Sequence, residues 1–283
     1  MNRNEILIQI EDLMLSICSG KYYWQEAEYE LEDYREVATD IYDPDLKYSP
    51  MLQGYFNLMS ISRSLHLHNS RAGLDRSLFC SRTDFMDFCD DLLDEHKRFI
   101  NRHKRQRRRN FETLKDNFEG LLDQHCKLLL VRVDVSYLSH ADKDIRHFDA
   151  DLTTFRRLIH LRQDCFEHVL DYSWAIEQGR NKGYHCHFLF LYNGSKHMRD
   201  AYYAKEVGEA WRDITHDDGC YFSCNRKRHK DSYRRQGTLG IGMIHRSCKD
   251  EVKNALNAIK YLARAEKKDQ HLRERIKGMR CFG

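Results

Sequence analysis

The sequence predicts an α+β protein: an antiparallel sheet of ferredoxin-like or RRM-like strand order with helices on one face, preceded by an all-α N-terminal region. Three observations predict it. Apolar residues recur at helical spacing from the N-terminus to about residue 125. From Lys127 onward the pattern alternates as strands and helices in the order β-α-β-β-α-β-β-α. The charge also changes sign along the chain. Residues 1–96 carry eight Lys/Arg against nineteen Asp/Glu and residues 97–283 carry 39 against 25, so the net charge of +3 hides an acidic part and a basic part. The expected organisation is a helical region at 1–125, acidic over 1–96 with a basic helix or linker at 97–115, and a second domain at 126–283.

The helical region begins with Ile6, Leu7, Ile10, Leu13, Met14 and Ile17 on one stripe. Pro44 and Pro50 interrupt it, and Tyr55, Leu58, Ile61 and Leu65 resume the period. A third helix spans about Asp84 to His103 and extends toward His125. It contains the run HKRQRRRN, in which Arg107, Arg108 and Arg109 suit phosphate tracking and equally suit a solvated helix face.

Lys127–Tyr137 reads as a strand, with Leu129, Val131, Val133 and Val135 on one face and Arg132, Asp134 and Ser136 on the other. A helix follows from near Ala150 to Leu170. Asp171–Gln178 and Tyr184–Gly194 then form a hairpin around the glycine turn GRNKG. A helix over Met198–Arg212, strands near Cys220–Asn225 and Thr238–His245, and a helix from near Lys249 past Tyr261 complete the expected order.

Several classes are excluded. No apolar run approaches the ~18–20 residues that span a bilayer, and no secretory segment opens the chain, so no membrane partner and a cytoplasmic location are expected. Ten scattered cysteines lack disulfide-scaffold spacing and read as reduced thiols. The absence of a phosphate loop of the type G-x-x-x-x-G-K-[ST] leaves any duplex unwinding to a separate helicase.

The hairpin carries the chemistry. His185 and His187 are two apart and project from one strand face, while Phe188 and Phe190 turn to the other. If Gln178 pairs with Tyr184, Glu177 lies opposite His185, and a carboxylate meets two imidazoles. Such a trio is a three-ligand divalent-metal site with open positions. Asp134 shares the polar face of the first strand, placed either as a partner of a ligand histidine, as a fourth ligand, or as a plain surface carboxylate. Cys186 is excluded as a ligand because alternation turns it away. On the last helix, Val252, Leu256, Ile259 and Ala263 form the buried stripe, leaving Tyr261 displayed beside Arg264, Lys267 and Lys268. The segment Cys224–Arg235 reads as a basic loop in which Arg226, Lys227, Arg228, Lys230, Arg234 and Arg235, with Tyr233 interleaved and Arg132 nearby, suit single-stranded DNA.

The E…H-x-H strand pair resembles the HUH endonucleases. More specifically, the stretches VRVDVSY, WAIEQGRNKGYHCHFLFLYNG, GTLGIGMIH, AIKYLARAEKKDQ and RCFG, from about Val131 to Gly283, resemble inovirus-type (filamentous-phage gene-two-like) replication proteins. The resemblance implies a rolling-circle initiator. His185, His187 and Glu177 would hold Mg²⁺ or Mn²⁺, and Tyr261 would attack a phosphodiester to give a 5′-phosphotyrosine. It departs in one place: three extra residues precede DQ, so Arg264, Lys267 and Lys268 remain alternatives for the assisting cation. The implied partners are single-stranded or hairpin origin DNA and a host helicase and polymerase. The acidic N-terminal helices are expected to dock a partner, mediate self-association or cover the DNA groove. The competing readings are a relaxase or single-tyrosine transposase, and a DNA-binding regulator on a nuclease-like fold.

Overall fold

The computed structural model describes residues 2–69, 78–139, 141, 143–263 and 270–283, the side chains of 61–69 excepted. Helices α1 (Arg3–Cys18), α2 (Trp24–Asp33) and α3 (Arg35–Ile41) precede strand β1 (Leu46–Tyr48), α4 (Pro50–Asn69) and α5 (Arg82–Gln124). Next come β2 (Lys127–Tyr137), α6 (Ile145–Leu161), β3 (Val169–Gly179), β4 (Gly183–Asn193) and α7 (Asp200–Ile214). β5 (Gly219–Ser223), α8 (Lys227–Arg235), β6 (Gly242–His245), α9 (Lys249–Ala263) and β7 (Glu274–Ile276) follow. The elements form two compact units, residues 1–104 with Leu272–Gly278, and Arg105–His271 with Met279–Gly283. The division falls inside α5, where the sequence had suggested 125/126.

The first unit buries the α1 stripe Leu7, Ile10, Met14 and Ile17 with Met51, Leu52 and Tyr55 of α4. Asn2 caps α1 by accepting from the Asn4 amide. The unit is not all-helical: β1 and β7 pair antiparallel with Lys47 opposite Arg275. Beside that pair, Glu11 is buried, but Arg273 Nε lies 2.7 Å from one carboxylate oxygen and Ser49 donates to the other. These contacts supply the partners a buried charge requires.

The second unit holds the mixed α/β architecture. Its antiparallel sheet has the order β3-β4-β2-β5, and β6 pairs with the other half of the same β2 edge. Val133 stands opposite Phe188 and Asp134 opposite His187, which sorts the residues onto two faces. Val131, Val133, Phe188 and Phe190 share one face with Phe155 of α6 and Trp211 of α7. The opposite face is also covered. Leu128, Leu130, Leu189 and Leu191 pack with Leu114, Phe118 and Leu122 of α5 and Ala255, Ile259 and Leu262 of α9. Helices therefore lie on both faces, a correction to the one-sided arrangement expected. Burying nine such leucine and phenylalanine-sized side chains outweighs leaving that face wet, at about 1.5–3 kcal/mol each. The far end of this face bears the polar cluster Arg132, Asp134, Glu177, His185 and His187.

Two further expectations are corrected. The helix expected over 150–170 is α6 at Ile145–Leu161. Asp144 caps it by accepting from the Arg146 and His147 amides, and Arg162 ends it in the left-handed region at φ 51°. The basic segment read as a loop contains α8. No helix among the described residues is long and apolar enough to cross a membrane.

Candidate active site

The β3–β4 hairpin has the register the sequence suggested: Glu177 opposite His185 and Gln178 opposite Tyr184. Gly179 and Gly183 bound the turn, and Gly183 takes φ +60°, a conformation that favours glycine. Its carbonyl oxygen lies 3.1 Å from His185 Nδ1, a contact that turns Nε2 toward Glu177. His185 Nε2 and His187 Nε2 lie 3.4 and 3.2 Å from the same oxygen, Oε2 of Glu177. One donor atom from each of the three residues falls within 4.8 Å of the others, and all three side chains are buried. Two imidazoles and a carboxylate fit a borderline divalent cation. The nitrogen donors suit Mg²⁺ poorly, since it prefers an all-oxygen shell.

Asp134 is not among that trio. Its Oδ1 lies 2.7 Å from His187 Nδ1, on the side of the ring away from Glu177, in a close ionic contact off the N–H direction. It therefore orients the histidine rather than joining the ligand atoms. Burial alone would lower the basicity of His187, but Asp134 and Glu177 on either side raise it above the ordinary value. Burial pushes Glu177 up, and hydrogen bonds from His185 and His187 overcome it and hold the carboxyl at about 2. Burial likewise opposes the Asp134 charge, and Arg132 and His187 hold that carboxyl far below the carboxylate range. Cys186 points to the opposite face, fully buried, as alternation required.

Tyr261 reaches the same face of the sheet. Its helix α9 buries Ala255, Ile259, Leu262 and Ala263, and the Tyr261 ring is 45% exposed. The Arg132 guanidinium lies 4.6 Å from the ring centroid, while Arg132 Nε is 3.3 Å from Asp134 Oδ1. Arg132, Asp134 and His187 thus form one contact chain between the tyrosine and the trio. Arg264, Lys267 and Lys268 lie outside the described residues.

The expected DNA-contact residues separate into different roles. Arg226, Lys227, Arg228, Tyr233, Arg234 and Arg235 are exposed around α8. Lys230 instead donates to Asp200 Oδ2 at 2.5 Å, which also accepts from Asn225, so it braces the fold. Arg108 and Arg109 of α5 are exposed, whereas Arg107 is half-buried and shares an electrostatic interaction with Glu177. The packing explains why. Phe111, Leu114, Phe118 and Leu122 form the buried stripe of α5, and Arg107 continues that stripe by one further turn. From Gln124 back to Arg107 the helix rises about 26 Å, close to the length of β2 from Lys127 to Asp134 at about 3.3 Å per residue. Sequence reasoning missed this difference among three consecutive arginines, although their spacing from the leucine stripe carried it.

A family model described as the YagK/YfjJ C-terminal domain matches residues 90–283. No curated protein and no solved structure matches the chain significantly.

Proposed function

We propose that this chain, which belongs to the YagK/YfjJ C-terminal domain family, is a metal-dependent enzyme that nicks and rejoins single-stranded DNA, as a rolling-circle initiator does. The observation that carries the reading is the polar cluster at the far end of the sheet face. There a two-histidine, one-carboxylate trio and an exposed tyrosine are linked through Asp134 and Arg132.

Glu177, His185 and His187 would hold Mn²⁺ or Mg²⁺, and the bound ion would polarise the scissile phosphate. The Tyr261 hydroxyl oxygen forms a bond to phosphorus as the bond from phosphorus to the 3′ oxygen breaks. The phenolic proton ends on that leaving oxygen, giving a 5′-phosphotyrosine and a free 3′-OH. The reverse attack by a 3′-OH breaks the tyrosine–phosphate bond and rejoins the strand. Arg132 holds the ring beside the site, and the surrounding burial excludes bulk water from Glu177, His185 and His187.

The test is incubation of the purified protein with Mn²⁺ and labelled single-stranded oligonucleotides tiling the DNA around its gene. A covalent adduct that disappears with Tyr261→Phe and with EDTA is expected. No adduct with any oligonucleotide, or an undiminished one with Tyr261→Phe, overturns the proposal.

A further inference from the structure

Next to the polar end of the sheet lies a patch that packing does not explain. α8 buries none of its residues. A helix polar on every side gains little from the core, so its position calls for another role. With Lys230 taken up by Asp200, its cations Lys227, Arg228, Arg234 and Arg235 stand against one carboxylate of the helix, Asp231. Its aromatic residues do not scatter. His229 lies between Phe222 of β5 and Tyr233, with ring centroids 5.2 and 5.0 Å away. Phe222 and Tyr233 are 39% and 41% exposed. The Arg226 guanidinium lies 5.9 Å from the Phe222 ring.

The β2–β5 register fixes where this edge-to-face cluster stands. Phe222 is directly opposite Asp134 and therefore shares the face of Asp134, His187 and Arg132. Half-exposed aromatic rings beside a surplus of cations match the chemistry of a strand whose bases are unpaired and whose backbone is anionic. A duplex keeps its bases stacked on one another and offers such rings only its sugar–phosphate edge.

We propose that Phe222, His229 and Tyr233 form a stacking platform for one or two unpaired bases of single-stranded DNA flanking the scissile phosphate, with Arg226 and the exposed cations of α8 on the backbone. The inference rests on the nucleic-acid reading of the neighbouring site and adds what selects an unpaired substrate there.

The experiment uses the full chain carrying Tyr261→Phe, in EDTA, so that binding is read without chemistry. Fluorescence anisotropy compares an oligothymidylate of about 15 nucleotides with a duplex of the same length. Phe222→Leu with Tyr233→Leu, which keeps apolar bulk but removes the ring faces, should weaken single-strand binding by about tenfold or more. Duplex binding and the salt dependence of single-strand binding should stay unchanged, since no cation is removed. Phe222→Trp with Tyr233→Trp should retain single-strand affinity. Equal losses on both DNAs, a loss below about twofold, or a parent protein that does not bind the single strand overturns the platform. The adduct assay keeps the two claims apart: a Tyr261 adduct without selective loss sinks the platform alone, and selective loss without any adduct sinks the nicking reaction alone.

Discussion

Asp134 and His187 stand directly opposite each other on β2 and β4, with Asp134 Oδ1 2.7 Å from His187 Nδ1. A carboxylate there fixes the ring and makes the far nitrogen, Nε2, a better donor toward a cation. Asp134→Asn should preserve the shape of the site but weaken Mn²⁺ binding by about 10–100-fold, read by calorimetry. His185→Ala, which removes a donor atom, should abolish it. Asp134→Asn binding as tightly as the parent would show that the carboxylate serves Arg132 alone.

In the proposed enzyme, metal binding and acidity are linked through the same histidine. The basicity of His187 is lowered by burial but raised more by Asp134 and Glu177, so its proton stabilises the metal-free fold below about pH 6.5. That contribution is lost as pH climbs through the folded value. Glu177, held at about 2 against its ordinary 4.5, stabilises above pH 4.5, and this is lost as pH falls toward 2. A divalent ion must displace the His187 proton. The gap in melting temperature between Mn²⁺-loaded and EDTA-treated protein should therefore widen as pH rises from about 5 to 8. A gap independent of pH would remove His187 from the donor set.

Arg132 has two partners, and its variants should separate them. Arg132→Ala strips Asp134 of its arginine in a site only 13% exposed, which should cost about 3 kcal/mol, the low end for a broken buried pair because His187 still faces the carboxylate. Arg132→Lys restores the charge but not the planar group over Tyr261. It should recover most of the thermal stability while adduct formation stays slower than in the parent. If both variants form adduct at the parental rate, the contact with Tyr261 is only packing.

The polar end of the site was legible in the sequence because its signals are local. Two glycines four residues apart set the hairpin, and a period of two then places Glu177 against His185 without tertiary information. The second helical layer was legible too, but under another rule. FLFLY and LLLV are apolar at consecutive positions, the signature of strands buried on both faces, whereas the interleaved Arg132, Asp134 and histidines suggested a wet face. α8 escaped because a helix with no buried residue has no apolar period to detect. β1 and β7 escaped because three-residue strands pairing across more than two hundred positions leave no local trace. Fine roles, such as Lys230 bracing Asp200 while Arg228 stays free to solvent, depend on which partner the fold brings near.

The placement of α9, which carries Tyr261, depends on Gly240. A Cβ on Gly240, just before β6, would stand 2.0 Å from the Asn254 carbonyl oxygen and 2.9 Å from the Ala255 nitrogen, both backbone atoms of α9. Backbone cannot swing aside as a side chain does, so Gly240→Ala has to push α9 away from the segment leading into β6. Overpacking of this kind costs about 1–3 kcal/mol, and here the displaced element carries the tyrosine. Gly240→Ala should therefore lower the melting temperature and slow adduct formation while leaving Mn²⁺ affinity at Glu177, His185 and His187 near the parental value, since those residues stand on β3 and β4. Gly237→Ala is the internal comparison: Gly237 adopts φ +67° with nothing within 4 Å of a Cβ, so its substitution strains the turn but does not press on α9. It should cost stability without the matching loss of adduct rate. Parallel losses in both variants would mean that destabilisation alone, rather than displacement of α9, controls the tyrosine.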